Sequence, residues 1–282
     1  MATRELVERI VEYHRREAED AYYWNVRTDF YDKITWDNIE PFLPRKGWIL
    51  DAGGGVGMWS RKMAETTKCK VELLDITGES LKMAKKRINK DGLGQRIEVL
   101  HGDIRSVPHP DKSFDFVLSE GDPISICGDP DKAVSELSRV LRPKCYFVAG
   151  VDSTFFIALG MLSKGKSVDF VSDFLQTGIS PAVEDADFDS KSFTPLELMS
   201  LLQKHSLKTV QIVGKPIGVG INMTDIFIEA LPIDRRREIF ENKKETEELS
   251  KMLNGIYSDP YIAGIGSHLQ IVAKKEERTL VE

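Results

Sequence analysis

Apolar positions along this chain follow two alternating rhythms. Short unbroken apolar runs take turns with longer stretches in which apolar residues recur every three or four positions, the signatures of buried strands and amphipathic helices. The runs predict strands at Trp48–Ala52, Lys70–Asp75, Arg96–His101, Phe114–Ser119, Cys145–Val151, Leu207–Val213 and His268–Lys274. Between the first five lie helical patterns at Gly57–Thr66, Ser80–Asn89 and Asp131–Leu141. This alternation implies an α/β fold in one domain, a seven-stranded, mostly parallel sheet with helices on both faces. The last strand follows a long segment and can join antiparallel.

Three parts fall outside the alternation. Residues 1–46 predict a helical cap, with Leu6, Val7, Ile10 and Val11 on one helix face and then Tyr22, Tyr23, Trp24, Phe30, Tyr31 and Trp36. The core occupies 47–151. Residues 152–192 form an insert with apolar helical runs at Phe155–Leu162 and Val168–Leu175, suited to a lid, before an acidic stretch at Glu184–Asp189. Residues 193–282 complete the sheet and carry a glycine-containing stretch from Gly214 and a charged helix near Arg235–Leu253. Thr194, Pro195 and Glu197 mark a helix start, as cap, first-turn proline and third-position acid.

Composition narrows the class. Of 282 residues, 41% are hydrophobic and 30% charged, ordinary for a soluble globular chain. No apolar run approaches the roughly 20 residues that span a bilayer, and the charged start is not a secretory signal. Three separated cysteines (Cys69, Cys127, Cys145) suit reduced thiols, so a cytoplasmic location is expected. No cluster has metal-ligand spacing, so no metal is expected. A net charge of −6, with short basic clusters flanked by acids, argues against nucleic acid as a partner without excluding it.

The chemistry-bearing segment is Trp48–Gly57, an apolar strand entering Asp51-Ala-Gly-Gly-Gly-Val-Gly57 and then a helix. Glycine serves where the chain turns sharply and a ligand approaches the backbone. A dinucleotide fingerprint starting at Gly53 and Gly55 wants glycine at 58, where Met58 stands, and no GK[ST] follows for a phosphate loop. Asp75 ends the next strand, placed to accept both hydroxyls of an adenosine ribose or to cap the following helix. NAD-like and S-adenosylmethionine-like readings both remain. The glycine spacing and the Asp51 carboxylate favour the second, whose ligand has a cationic end and no pyrophosphate.

With Asp75-Ile76, Gly102-Asp103-Ile104, Phe114–Glu120 and Ala133–Pro143 following in order, residues 45–150 resemble the class I S-adenosylmethionine-dependent methyltransferases, in particular the UbiE-like and type 11 group. The resemblance implies a Rossmann-like sheet, S-adenosylmethionine as cofactor, and cofactor contacts from Asp51, Gly53, Gly55, Gly57, Asp75, Ile76, Asp103, Ile104 and Glu120. The family's glycines after the proline are replaced here by Lys144-Cys145, so that turn should differ.

By the same resemblance, Ser119–Cys127 faces the transferred methyl group, making Glu120, Asp122 and Ser125 candidates to contact the acceptor. Glu120 or Asp122 can serve as a base, orient the methionine ammonium or hold a loop; His268, opening the last strand, suits proton transfer. Tyr31 and the Tyr22–Trp24 group suit a pocket wall or plain helix packing. A small-molecule acceptor is the leading expectation. The ending Asp259–Lys275 is also similar to bacterial tRNA wobble-uridine carboxymethyl methyltransferases, which keeps an RNA acceptor as the alternative, beside a non-catalytic S-adenosylmethionine-binding protein. Oligomeric state stays open.

Overall fold

The computed structural model describes residues 28–180, 188–215 and 232–277. The amphipathic segment at Leu6–Val11 and the Tyr22–Trp24 cluster lie outside these residues. So does most of the glycine-containing stretch after Gly214.

All seven predicted strands form, as β1 (Trp48–Ala52), β2 (Lys70–Asp75), β3 (Ile97–His101), β4 (Phe114–Ser119), β5 (Leu141–Asp152), β8 (Leu207–Lys215) and β9 (His268–Lys275). They make one sheet in the order β3-β2-β1-β4-β5-β9-β8. β1 to β5 run parallel, and β9 enters antiparallel to both β5 and β8. A short extra ribbon, β6 (Ile179–Ser180) with β7 (Ser190–Lys191), closes the insert.

Period-two alternation sends successive strand residues to opposite cores. Leu50, Ala52, Val117 and Phe147 join one buried cluster with Ala133, Val134 and Leu137 of helix α5 (Pro130–Val140) and Leu198 and Leu202 of α8 (Pro195–Lys204). Ile49, Phe116, Leu118 and Val148 face the other way, with Trp59 and Met63 of α2 (Met58–Thr66) and Leu81, Ala84 and Ile88 of α3 (Gly78–Lys90). Burying both faces is what a parallel sheet requires, and it leaves the strand ends as the place for chemistry.

Three features hold the flanks. Helix α1 (Thr28–Asp37) inserts Ile34 among Val213 of β8 and Leu253 and Tyr257 of α10 (Lys243–Tyr257), the helix that follows α9 (Ile233–Glu241). The α1 residue Trp36 stacks on Trp59 with ring centroids 6.1 Å apart. The insert pairs α6 (Thr154–Ser163) with α7 (Val168–Thr177) through Ala158, Val171 and Phe174, leaving Phe155, Leu159 and Leu162 exposed. Between Leu141 and Tyr146 the β4–β5 register shifts, and Lys144 there adopts φ 66°. A left-handed turn position favours glycine, and here a lysine accepts the strain.

The helix start at Thr194 forms a complete capping box: Thr194 Oγ1 accepts from Glu197 N, and Glu197 Oε2 accepts from Thr194 N at 2.8 Å. Thr194→Ala should lower the unfolding free energy by about 1 kcal/mol, read from denaturant titration with an unchanged slope.

Candidate active site

The carboxyl ends of β1, β2, β4 and β5 meet the end of β8 and the start of β9 at one edge of the sheet, the usual ligand crevice of open α/β sheets. Two neighbouring groups of residues assemble there.

The first is the glycine turn. Gly53, Gly55 and Gly57 all have positive φ (81°, 51° and 76°). A Cβ on Gly53 would lie 2.3 Å from the Pro123 ring, so this glycine lets the β1 turn pass against the β4 turn. A Cβ on Gly55 would meet nothing within 4 Å, so its backbone is open to a ligand. Asp75 joins this turn to the next: its two carboxylate oxygens accept from Gly55 N at 2.8 Å and Thr77 N at 2.7 Å. Asp75 therefore spans two loops rather than capping α3, whose cap residue is Thr77. Each carboxylate oxygen retains a lone pair for a further donor.

Asp51 is 1% exposed. One carboxylate oxygen accepts from Ser60 Oγ at 2.6 Å, and the other is buried without a hydrogen-bond partner. Burial pushes this carboxyl up to about 7. An orphaned buried oxygen beside an open glycine backbone fits a ligand that brings a cation, and S-adenosylmethionine carries one on its methionine end. Two of the remaining expected cofactor residues have partners within the chain. Ile104 is 7% exposed within the cluster that holds Leu50 and Leu74, so packing accounts for it. Asp103 is gripped by Arg105, Nη2 to Oδ2 at 2.6 Å, which holds its carboxyl below the usual range against the cost of burial. Ile76 is half-buried, its carbonyl bonded to His101.

The second group surrounds Glu120. Its carboxylate forms a buried ion pair with Lys215 and accepts from Gln270 Nε2 at 3.1 Å. The Lys215 ammonium also lies 4.4 Å from the centre of the Tyr31 ring. Burial alone would lower the Lys215 pKa, but the facing Glu120 holds it above its ordinary value; burial raises that of Tyr31. The expectation of a base at Glu120 gives way to a structural charge, because a proton accepted there would leave Lys215 buried and unpaired. Ser125 Oγ accepts the Asp152 backbone N–H at 3.0 Å, tying the short helix α4 (Pro123–Ile126) to β5.

The strand register places Asp152, His268 and Lys215 opposite one another across β5, β9 and β8. His268 Nε2 faces Asp122 Oδ2 at 3.2 Å and Asp152 Oδ1 at 3.6 Å, and Tyr31 meets the imidazole edge-on at 5.8 Å. Burial pulls the His268 pKa down, and the two carboxylates more than reverse this. Burial, then the Asp122 charge, pushes Asp152 up to about 7. The structure thus unites three expected residues, Glu120, Asp122 and His268, with three that sequence reasoning misses: Asp152, Lys215 and Gln270. Asp152 and Lys215 have a readable signal, since each ends an apolar run at the same sheet edge as Asp75. Gln270 has none.

Two outcomes follow. Glu120→Gln should cost about 3–5 kcal/mol of stability by stranding Lys215, and pairing Glu120→Leu with Lys215→Met should restore most of it, both read from denaturant titration. The Asp51 carboxyl holds its proton in the folded chain up to about 7, against 3.8 when unfolded. Stability from this group is therefore full below the lower value and is lost as pH rises through the upper one. Asp51→Asn should flatten that fall in a pH series of unfolding free energies.

Residues 49–144 match a family model described as a methyltransferase domain. Over 107 residues the chain is 36% identical to a dimethylglycine N-methyltransferase of Parasynechococcus marenigrum, covering 38% of each chain. Over 103 residues it is 36% identical to the ubiquinone/menaquinone biosynthesis C-methyltransferase of Brucella anthropi, covering 35% of this chain and 38% of that one. The match thus spans less than two fifths of these relatives. In fold it is similar to a SAM-dependent methyltransferase of Thermotoga maritima (TM-score 0.58, 16% identity, 96% and 100% of the two chains) and to one of Methanosarcina mazei (TM-score 0.56, 20% identity, 85% and 97%). Residues 49–144, on a sheet of this order, are thus similar to a methyltransferase domain.

Proposed function

We propose that this protein transfers the methyl group of S-adenosylmethionine to a small-molecule acceptor seated over Asp122, Asp152 and His268. The observation that carries the reading is the orphaned Asp51 oxygen beside the open Gly55 backbone, next to a second polar group at the same sheet edge. The names of the relatives, which refer to dimethylglycine and to quinones, support a small acceptor.

When bound, the cofactor would supply a methyl group on a sulfonium, whose departure as a neutral thioether requires no acid. The chain's own residues then have binding and aligning to do, which can be worth effective molarities of about 10⁵–10⁸ M. Asp51 would take the methionine ammonium, the Gly53–Gly57 turn would follow the ligand closely, and Asp75 would accept from ribose hydroxyls, with Ile76 and Asp103 towards the base. Glu120, fixed by Lys215, would hold the β4 turn between the two groups. Asp122 and His268 would contact the acceptor, and the insert with its exposed Phe155 and Leu159 would serve as a lid excluding water.

Incubating the protein and a cell extract with methyl-labelled S-adenosylmethionine, then separating small molecules, RNA and protein, tests the reading. Label among small molecules is expected. Label in RNA would replace it with the tRNA-type alternative, and binding without label would leave a non-catalytic binder. Asp75→Ala should weaken S-adenosylmethionine binding at least tenfold by calorimetry and lower the unfolding midpoint, because Gly55 N and Thr77 N lose their acceptor while the chain still folds; unaltered affinity would remove Asp75 from the ribose position.

A further inference from the structure

Asp122, Asp152 and His268 come from a turn, a strand end and a strand start that lie far apart in sequence, so no ligand spacing reveals them. Each offers one donor atom, and the three atoms lie within 4.8 Å of one another. Donors about 2.1 Å from one ion stand roughly 3.0 Å apart at right angles and 3.4 Å apart at tetrahedral angles. His268 Nε2 stands 3.2 Å from Asp122 Oδ2 and 3.6 Å from Asp152 Oδ1, which matches that spacing.

The imidazole is also turned the right way. Ser267 Oγ donates to the Lys215 carbonyl at 3.0 Å and so can only accept from His268 Nδ1, also at 3.0 Å. With Nδ1 carrying a hydrogen, the neutral ring directs the Nε2 lone pair at two carboxylates. A histidine fixed through its second nitrogen is the usual arrangement of a metal ligand. The side chains are 21–26% exposed, open enough for an ion to enter yet shielded from bulk screening.

We propose that Asp122, Asp152 and His268 bind one divalent cation. Mixed carboxylate and imidazole donors suit Mn²⁺ or Zn²⁺ better than Ca²⁺. Three protein ligands leave coordination positions open, as in catalytic rather than structural sites. Resting on the reading that the acceptor occupies this edge, those positions would take an acceptor bearing an oxygen donor. The ion itself binds whether or not that reading holds.

The test uses the full chain freed of metal by chelator and titrated by calorimetry with Mn²⁺ and, separately, Zn²⁺. One ion per chain is expected, with affinity reduced at least tenfold by Asp152→Asn and by His268→Gln, and about tenfold by Ser267→Ala through lost orientation. Unfolding midpoints confirm that each variant folds. S-adenosylmethionine affinity, measured on the same variants, should hold, so failure of the metal site is distinguished from failure of the cofactor reading. No binding of either ion, or binding unchanged in the three variants, overturns the proposal and leaves a protonated His268 as the bridge between the carboxylates.

Discussion

The buried pairing of Lys215 with Glu120 is the interaction on which the candidate site depends. Neither charge can be taken from water unless the other is present and the remaining hydrogen-bonding capacity is filled. The surrounding chain meets that demand. A Cβ at Gly150 would stand 2.5 Å from a Glu120 oxygen, so only glycine lets the carboxylate cross β5. Gln270 of β9 fills a further position, and Tyr31 of α1 lays its ring near the ammonium. One ion pair therefore fixes the β4 turn, the ends of three strands and the first described helix relative to one another.

The fold is largely legible in the sequence because its information is local. Unbroken apolar runs locate strands buried on both faces, and the Asp51–Gly57 segment reveals its turn by spacing alone. Boundaries are less legible. Sequence periodicity ends β8 at Val213, whereas pairing with β9 extends it to Lys215, because a buried lysine reads as a strand terminator until its partner is known. Lys144 shows the converse, a departure from family glycines visible in sequence whose effect, a left-handed residue at a register shift, emerges only in the folded chain.

The site is legible where one loop supplies it and obscure where distant strands do. Asp51, Asp75 and the glycines sit within a short stretch, so order and spacing speak for them. Asp152 and His268 become neighbours only through the β5–β9 register. Ligand spacing presumes donors on one element, and cannot register a set assembled from three. Glu120 stands out in the sequence, but its role changes once a buried cation, invisible at a separation of 95 positions, is found against it.

The position of β9 bears on how the molecule is made. It is the last strand described, yet it lies inside the sheet, hydrogen-bonded on both edges between β5 and β8. Until residues 268–275 leave the ribosome, β5 and β8 have no common neighbour, and their facing edges stay available to other chains. The half built from β1 to β5 can gather early through short-range contacts, whereas the remainder must wait for its central strand. Since Lys215 and His268 belong to that late portion, a nascent chain would hold its glycine turn before its second polar group, and synthesis interrupted between the two would release an incomplete sheet with an unsatisfied edge.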